Sequence, residues 1–139
     1  MPNKAYAIMM ARYNIWQNES LLANVETLSV AERQKDRGAF FGSIEGTFAH
    51  ILLGDQLWMG RFAGTVPSAD SLSSEAKDWD LFVTQRRRVD REILAWAQSL
   101  EADWFEGDLQ WHSIAAGKSF SHAKAELVTH FFNHQTHHR

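Results

Sequence analysis

Apolar residues recur along this chain in long runs with helical spacing, interrupted once by a short run with alternating spacing. From about Ala5 to Leu28, Tyr6, Met9, Met10, Tyr13 and Trp16 return every three or four positions while Arg12, Asn18 and Glu26 fall off that line. This spacing predicts a helix that buries an aromatic face. A second helix is predicted from about Gly42 to Ala63, where Ile44, Phe48, Ile51, Leu52, Leu57, Trp58 and Phe62 make the segment apolar over much of its circumference. The stretch from Gly64 to Ser74 is rich in Gly, Pro and Ser and reads as a loop. A third helix follows from about Ser74 to Leu100, with Trp79, Phe82, Val83, Val89, Ile93, Trp96, Ala97 and Leu100 as its buried stripe. Its Arg86-Arg87-Arg88 run points in three directions about 100° apart and is expected to be mostly solvated.

Between Asp103 and Phe120 the period changes to two. Phe105, Gly107, Leu109 and Trp111 alternate with Glu106, Asp108, Gln110 and His112, and the residues at 115 to 118 offer a turn, so a short β-hairpin is predicted. Ser121 is then placed to cap a last helix, although Lys124 stands where a capping box would have Glu. Four long helices with modest loops describe an all-α fold, a four-helix bundle with a small hairpin before its final helix, and 139 residues suit one domain.

Composition removes several function classes. The formal charge is −3, so no basic surface calls for a nucleic-acid backbone. No run of about 18 apolar residues occurs and the N-terminus lacks a secretory h-region, which leads us to expect a cytoplasmic protein with no membrane partner. There is no cysteine, which excludes disulfides, thiolate nucleophiles and Cys-type zinc fingers. Any metal must be held by nitrogen and oxygen.

Four of the seven histidines fall within residues 130 to 139. An expression tag would be an unbroken run, whereas Asn133, Gln135 and Thr136 interrupt this one. On a helical wheel His134 and His138 continue the apolar stripe of Leu127 and Phe131, while His130 and His137 fall toward its edge. Imidazoles at i and i+4 have Cβ atoms about 5–6 Å apart, close enough for both to reach one ion at the usual Zn–N distance of about 2.0–2.1 Å. His130 with His134 has the same spacing and stays open as an alternative pair. A third ligand should come from another buried helix. His50 is the candidate, since it shares a row with Ser43, Thr47, Gly54 and Leu57, whose small members leave room for a cavity. Of the remaining polar residues, Glu126 lies one turn before His130 and can orient it, whereas Glu45 and Asp55 read as surface charges.

The residues FNHQTHHR at 132 to 139, TFAHILLGDQLWMGRF at 47 to 62 and ARYNIWQNESLL at 11 to 22 together resemble the DinB family of helical-bundle metalloproteins. The resemblance spans nearly the whole chain. It implies a divalent ion, commonly nickel or zinc, held by His50, His134 and His138, the same trio that the wheel favours. It also implies a homodimer, and activities such as thiol-dependent S-transfer or hydrolysis on a small-molecule substrate. Asn14 and Trp16 match the family's first-helix pattern. The family pattern runs on past the HisHisArg sequence with further helix, so the chain is expected to be truncated at its C-terminal end.

Three neutral imidazoles leave an ion's charge intact and at least one position open, the pattern of catalytic rather than structural zinc. A water or thiol bound there can lose its proton near neutral pH. Because the chain has no cysteine, a thiol nucleophile would have to be a low-molecular-weight cosubstrate. Two other readings stay open on sequence alone: a metal or ligand-binding module without turnover, and a structural bundle whose histidines only pack.

Overall fold

The structure, a computed structural model, describes residues 1–65, 78–113 and 115–139. The chain is mostly helical, with five α-helices among the described residues and a two-stranded antiparallel hairpin before the last of them. Helix α1 (Lys4–Val25) starts at Asn3, whose side-chain oxygen accepts from the Tyr6 N–H at 2.9 Å. Its buried face is not the aromatic one. Ala7, Ala11, Asn14, Asn18, Leu22 and Val25 face inward, while Met9, Tyr13 and Trp16 are 58%, 39% and 61% exposed. The two alanines let the neighbouring helix approach closely, and the two asparagines are satisfied by a buried partner, Asp90. A hydrogen-bonded polar side chain can therefore occupy the core while bulkier apolar ones stay outside.

A short helix that the periodicity did not announce, α2 (Val30–Gln34), follows, capped by Ser29. It carries Arg33, whose Nε lies 2.9 Å from Glu45 Oε1 and whose guanidinium rests 4.7 Å from the Trp79 ring. Glu45 is thus buried rather than a surface charge. Its position in the first turn of the next helix also suits a negative group.

Helix α3 (Ile44–Ala63) is bounded by Ser43 at its start and by Gly64 in the left-handed region at its end, residue types favoured at those two positions. The expected loop after Gly64 and the expected helix start at Ser74 fall largely on residues 66–77, outside the described residues. Helix α4 (Trp79–Ser99) begins with Asp78 as its cap. Phe82, Val83, Val89, Ile93, Ala97 and Leu100 are buried as expected, with Trp79 and Trp96 packed partly against them. Arg86 departs from expectation: it is 1% exposed and lies between Asp55, also fully buried, and Asp90. Neither Arg86 nor Asp55 is a surface charge.

The hairpin lies later than its sequence pattern placed it. A 3₁₀ turn at Ala102–Phe105 leads into β1 (Asp108–Ser113), which pairs with β2 (Lys118–Ala123) so that Gln110 opposes Ser121 and Trp111 opposes Phe120. Ser121 is therefore a strand residue, not a cap; its hydroxyl accepts from Gln110 and donates to Asp108. Helix α5 (Lys124–His138) follows directly, its Lys124 N–H donating to the Gly107 carbonyl at 3.1 Å. Helix α1 lies against α4 and α5, and α3 lies against the same two.

The core is strongly aromatic. Phe62 stacks on Trp96 with centroids 5.0 Å apart and meets the edge of Phe131 at 5.6 Å. Each such pair adds about 0.5–1.5 kcal/mol beyond the burial of its area. These contacts hold α5 against α3, with the histidine-rich end of α5 beside the first half of α3. Among the described residues no helix is long and apolar enough to cross a membrane.

Candidate metal centre

His50 sits on α3 with a glycine one turn to either side, Gly46 and Gly54. Both glycines leave space that the site uses. A Cβ on Gly54 would stand 2.8 Å from His134 Cε1, and one on Gly46 would stand 2.2 Å from the Phe41 carbonyl oxygen. The first gap seats the imidazole of His134 against α3. The second lets the 38–42 turn, which has Gly38 and Gly42 at positive φ, press onto the helix. Phe41 is thereby laid on the His50 ring, 3.7 Å between centroids and 17° from parallel, with the His138 ring 5.3 Å away at an angle.

His50 Nε2 and His134 Nε2 are 3.1 Å apart. Counting one ring nitrogen each, His50, His134 and His138 lie within 4.8 Å of one another. An ion bonded to two nitrogens at about 2.0–2.1 Å holds them about 2.9 Å apart at a right angle and about 3.4 Å apart at the tetrahedral angle. The observed 3.1 Å falls between these limits. One imidazole can also donate to another at that distance. A hydrogen-bonded pair, however, gains nothing from a third ring nitrogen in the same small space, whereas a cation does.

The electrostatics favour neutral imidazoles. Burial first, then the neighbouring His138, His50, His130 and His137, pull His134 down to about 4. Burial lowers His50 as well, with help from His138, and lowers His138, with help from His137. Neutral rings are the form that binds metal. His134 Nδ1 is buried with no hydrogen-bond partner, so packing on Gly54 rather than an outer hydrogen bond orients this ring.

The same shifts fix a pH dependence for the metal-free protein. A histidine whose folded pKa lies below its unfolded value stabilises fully above the unfolded value, 6.5, and that contribution is lost as pH falls through the folded one, about 4 for His134. Urea midpoints are expected to fall across that interval and to vary far less with pH in a His134→Ala protein. A wild-type midpoint that does not change there would contradict the burial of this ring.

The trio expected from sequence is brought together, and the alternative pair is not. His130 lies outside the group, its ring 6.0 Å from that of His134 and edge-on to Trp58 at 5.3 Å. Glu126 is exposed and makes no hydrogen bond to His130, so it does not orient it. His137 is exposed, with its ring 4.9 Å from that of His138. Trp16 is exposed, whereas Asn14 is buried and bonded to Asp90. Sequence reasoning missed Phe41 and Gly46. The Gly46, His50, Gly54 row, glycines at i−4 and i+4 of one histidine, was the available signal for the second of them.

Gly54→Ala is a sharp test of this packing. Alanine in a helix is favoured over glycine by about 0.5–1 kcal/mol, and the atom it meets is the far end of a side chain that can swing away. Thermal stability is expected to change little. Metal affinity is expected to drop by roughly 10–100-fold, the effect typical of losing a ligand's support. A competition titration against a chromogenic chelator measures it; unchanged affinity would mean that His134 does not need this seat.

A cavity of about 350 Å³ adjoins the group, lined mainly by apolar side chains including Leu21, Val25, Ile44, Phe48 and Ile51, with His138 and Arg139 also on its wall. No match to a curated protein was found. The DinB family profile matches residues 1–139, every position of the sequence. With that match over its full extent, the chain belongs to the DinB family.

Proposed function

We propose that this protein is a four-helix-bundle metalloprotein in which His50, His134 and His138 hold one divalent ion, nickel or zinc, and that it acts as a metal-dependent S-transferase or hydrolase. The observation that carries the reading is the convergence of one ring nitrogen from each of these residues, with two of them 3.1 Å apart. Such an ion supplies Lewis acidity, able to lower the pKa of a bound water or thiol toward neutrality. The chain's own residues supply the rest. Gly54 and Phe41 fix the planes of two of the rings. Phe41 covers one side of the group, and the apolar cavity beside His138 offers room for the hydrophobic part of a small substrate. With no cysteine in the chain, a thiol would arrive as a separate small molecule. The reading includes a homodimer, for which the exposed Met9, Tyr13 and Trp16 row of α1 is an available apolar surface.

Reconstitution with zinc or nickel followed by elemental analysis tests the metal part. One ion per chain is expected, and a protein that retains none refutes the assignment. Incubating the loaded protein with small thiols and electrophiles, against a metal-free control, tests the reaction. Product formed only with metal supports an enzyme. Ligand-induced thermal shifts without product would instead favour a binding module.

A further inference from the structure

Directly behind the histidine group lies a second constellation, polar and almost wholly buried, that the proposed chemistry does not use. Arg86 Nη1 is 2.8 Å from Asp55 Oδ2, an ion pair rather than an aligned hydrogen bond, and Arg86 Nη2 donates to Asp90 Oδ1 at 2.7 Å. Asp90 also accepts from Asn14 at 2.9 Å and from Asn18 at 2.9 and 3.0 Å. Asp55 Oδ1 accepts from Gln135 Nε2 at 2.9 Å, and the Arg139 guanidinium donates to Asn14 Oδ1. Two carboxylates and two guanidiniums balance, and the set draws residues from α1, α3, α4 and α5.

Its members stand in a particular relation to the metal centre. Asp55 follows Gly54, Gln135 follows His134, and Arg139 follows His138. Successive helix positions point about 100° apart, so one side of α3 and α5 builds the histidine group and the adjoining side builds the polar one. We propose that the Asp55–Gln135 hydrogen bond, anchored through Arg86 to Asp90, sets the register of α5 against α3, which makes Asp55 and Gln135 positioning residues for the metal centre.

The physical reason is directionality. Apolar contacts between two helices are non-directional, and a slip of one turn, about 5.4 Å, exchanges one set of them for another. The same slip would strand a buried carboxylate and a buried amide without partners. It would also carry His134 away from His50. A buried ion pair is weak evidence for stability in its own right, but it can specify which of several packings is adopted.

This inference rests on the metal reading, and its test separates the two. Gln135→Met keeps the volume and removes the hydrogen bond to Asp55. Zinc affinity by chelator competition is expected to fall about 10–100-fold, as for loss of other outer supports of a metal site. The visible absorption of the cobalt-substituted protein is expected to change with it. Val128→Ala, a deletion in the apolar core outside both groups, serves as the comparator: it lowers the urea midpoint but should keep wild-type affinity and spectrum. If Gln135→Met does not fold, Gln135→Asn, one methylene shorter, is expected to show the same loss. A folded Gln135 variant with wild-type affinity and spectrum overturns the proposal, as does a Val128→Ala protein that loses as much affinity. Wild-type protein that binds no metal would instead refute the metal centre itself.

Discussion

His134→Ala is expected to abolish stoichiometric metal binding while leaving a folded protein. His134 is the innermost of the three rings, 3.1 Å from His50 through facing Nε2 atoms and seated in the gap that Gly54 leaves. It is also the ring that burial holds most firmly in its neutral form, down to about 4. Loss of an outer support costs roughly 10–100-fold in affinity, and loss of a ligand atom should exceed that. His50→Ala is expected to do the same, because it removes the partner on the opposite helix. His138→Ala should act in the same direction but less completely, since its ring lies in the last turn of α5 and is only partly buried. His130→Ala and His137→Ala should leave binding at the wild-type level, their rings lying outside the group. Elemental analysis and chelator competition on the five variants give the pattern directly. Equal losses from all five would mean that metal binds the histidine-rich segment diffusely rather than at this centre.

What could be read in advance was whatever depended on periodicity. The inward pair on α5 followed from a spacing of four, and the third histidine of the group from its place in a row of small residues on the most apolar helix. The fold's helical character and the hairpin before α5 came from the same kind of pattern. The failures on α1 and α4 share a cause as well: a polar residue's type hid its place on the buried face. Asn14 and Asn18 lie four apart with Ala11 and Ala7 one and two turns before, and that line, not the aromatic one, is the buried face of α1. Arg86 falls between Phe82 and Val89 on the very stripe that identified α4, yet reading Arg86, Arg87 and Arg88 as one charged run hid it. The displaced hairpin has a different origin. Trp104 and Phe105 are apolar because the 3₁₀ turn docks on the core, which mimics the start of a strand, while the true partner strand carries a single large apolar residue, Phe120. Phe41 lay in a segment with no periodicity, and its placement over His50 depends on close backbone approach that only three dimensions reveal.

Arg86→Met should be the most destabilising single substitution among the charged residues of α4, by about 3–5 kcal/mol, because removing one member of a buried ion pair leaves the other uncompensated. Here two carboxylates, Asp55 and Asp90, would lose their shared cation, and Asp55 would keep Gln135 as its remaining close partner. A domain of this kind has only about 5–15 kcal/mol in total, so the variant should be visibly unstable at ambient temperature. Its neighbours make the control. Arg87 pairs with Glu19 through two contacts at 2.8 and 3.0 Å, but both side chains are 44% exposed, and Arg87→Ala should cost no more than about 1 kcal/mol. Arg88 stands 52% exposed and 3.5 Å from Glu92, and Arg88→Ala should change stability by less than about 0.5 kcal/mol. The Arg86 penalty should also depend on pH in a definite direction. Burial raises the Asp55 carboxyl, with Arg86 and Gln135 pulling against it, and removing Arg86 lets it rise further. An acid whose folded pKa lies above its unfolded value loses stability as pH rises through the folded value, so the difference from wild type should grow as pH rises and shrink on acidification. Urea midpoints of the three variants against wild type, each compared at the same pH, measure all of this; an Arg86→Met protein no less stable than Arg88→Ala would show that the guanidinium does not hold two buried carboxylates together.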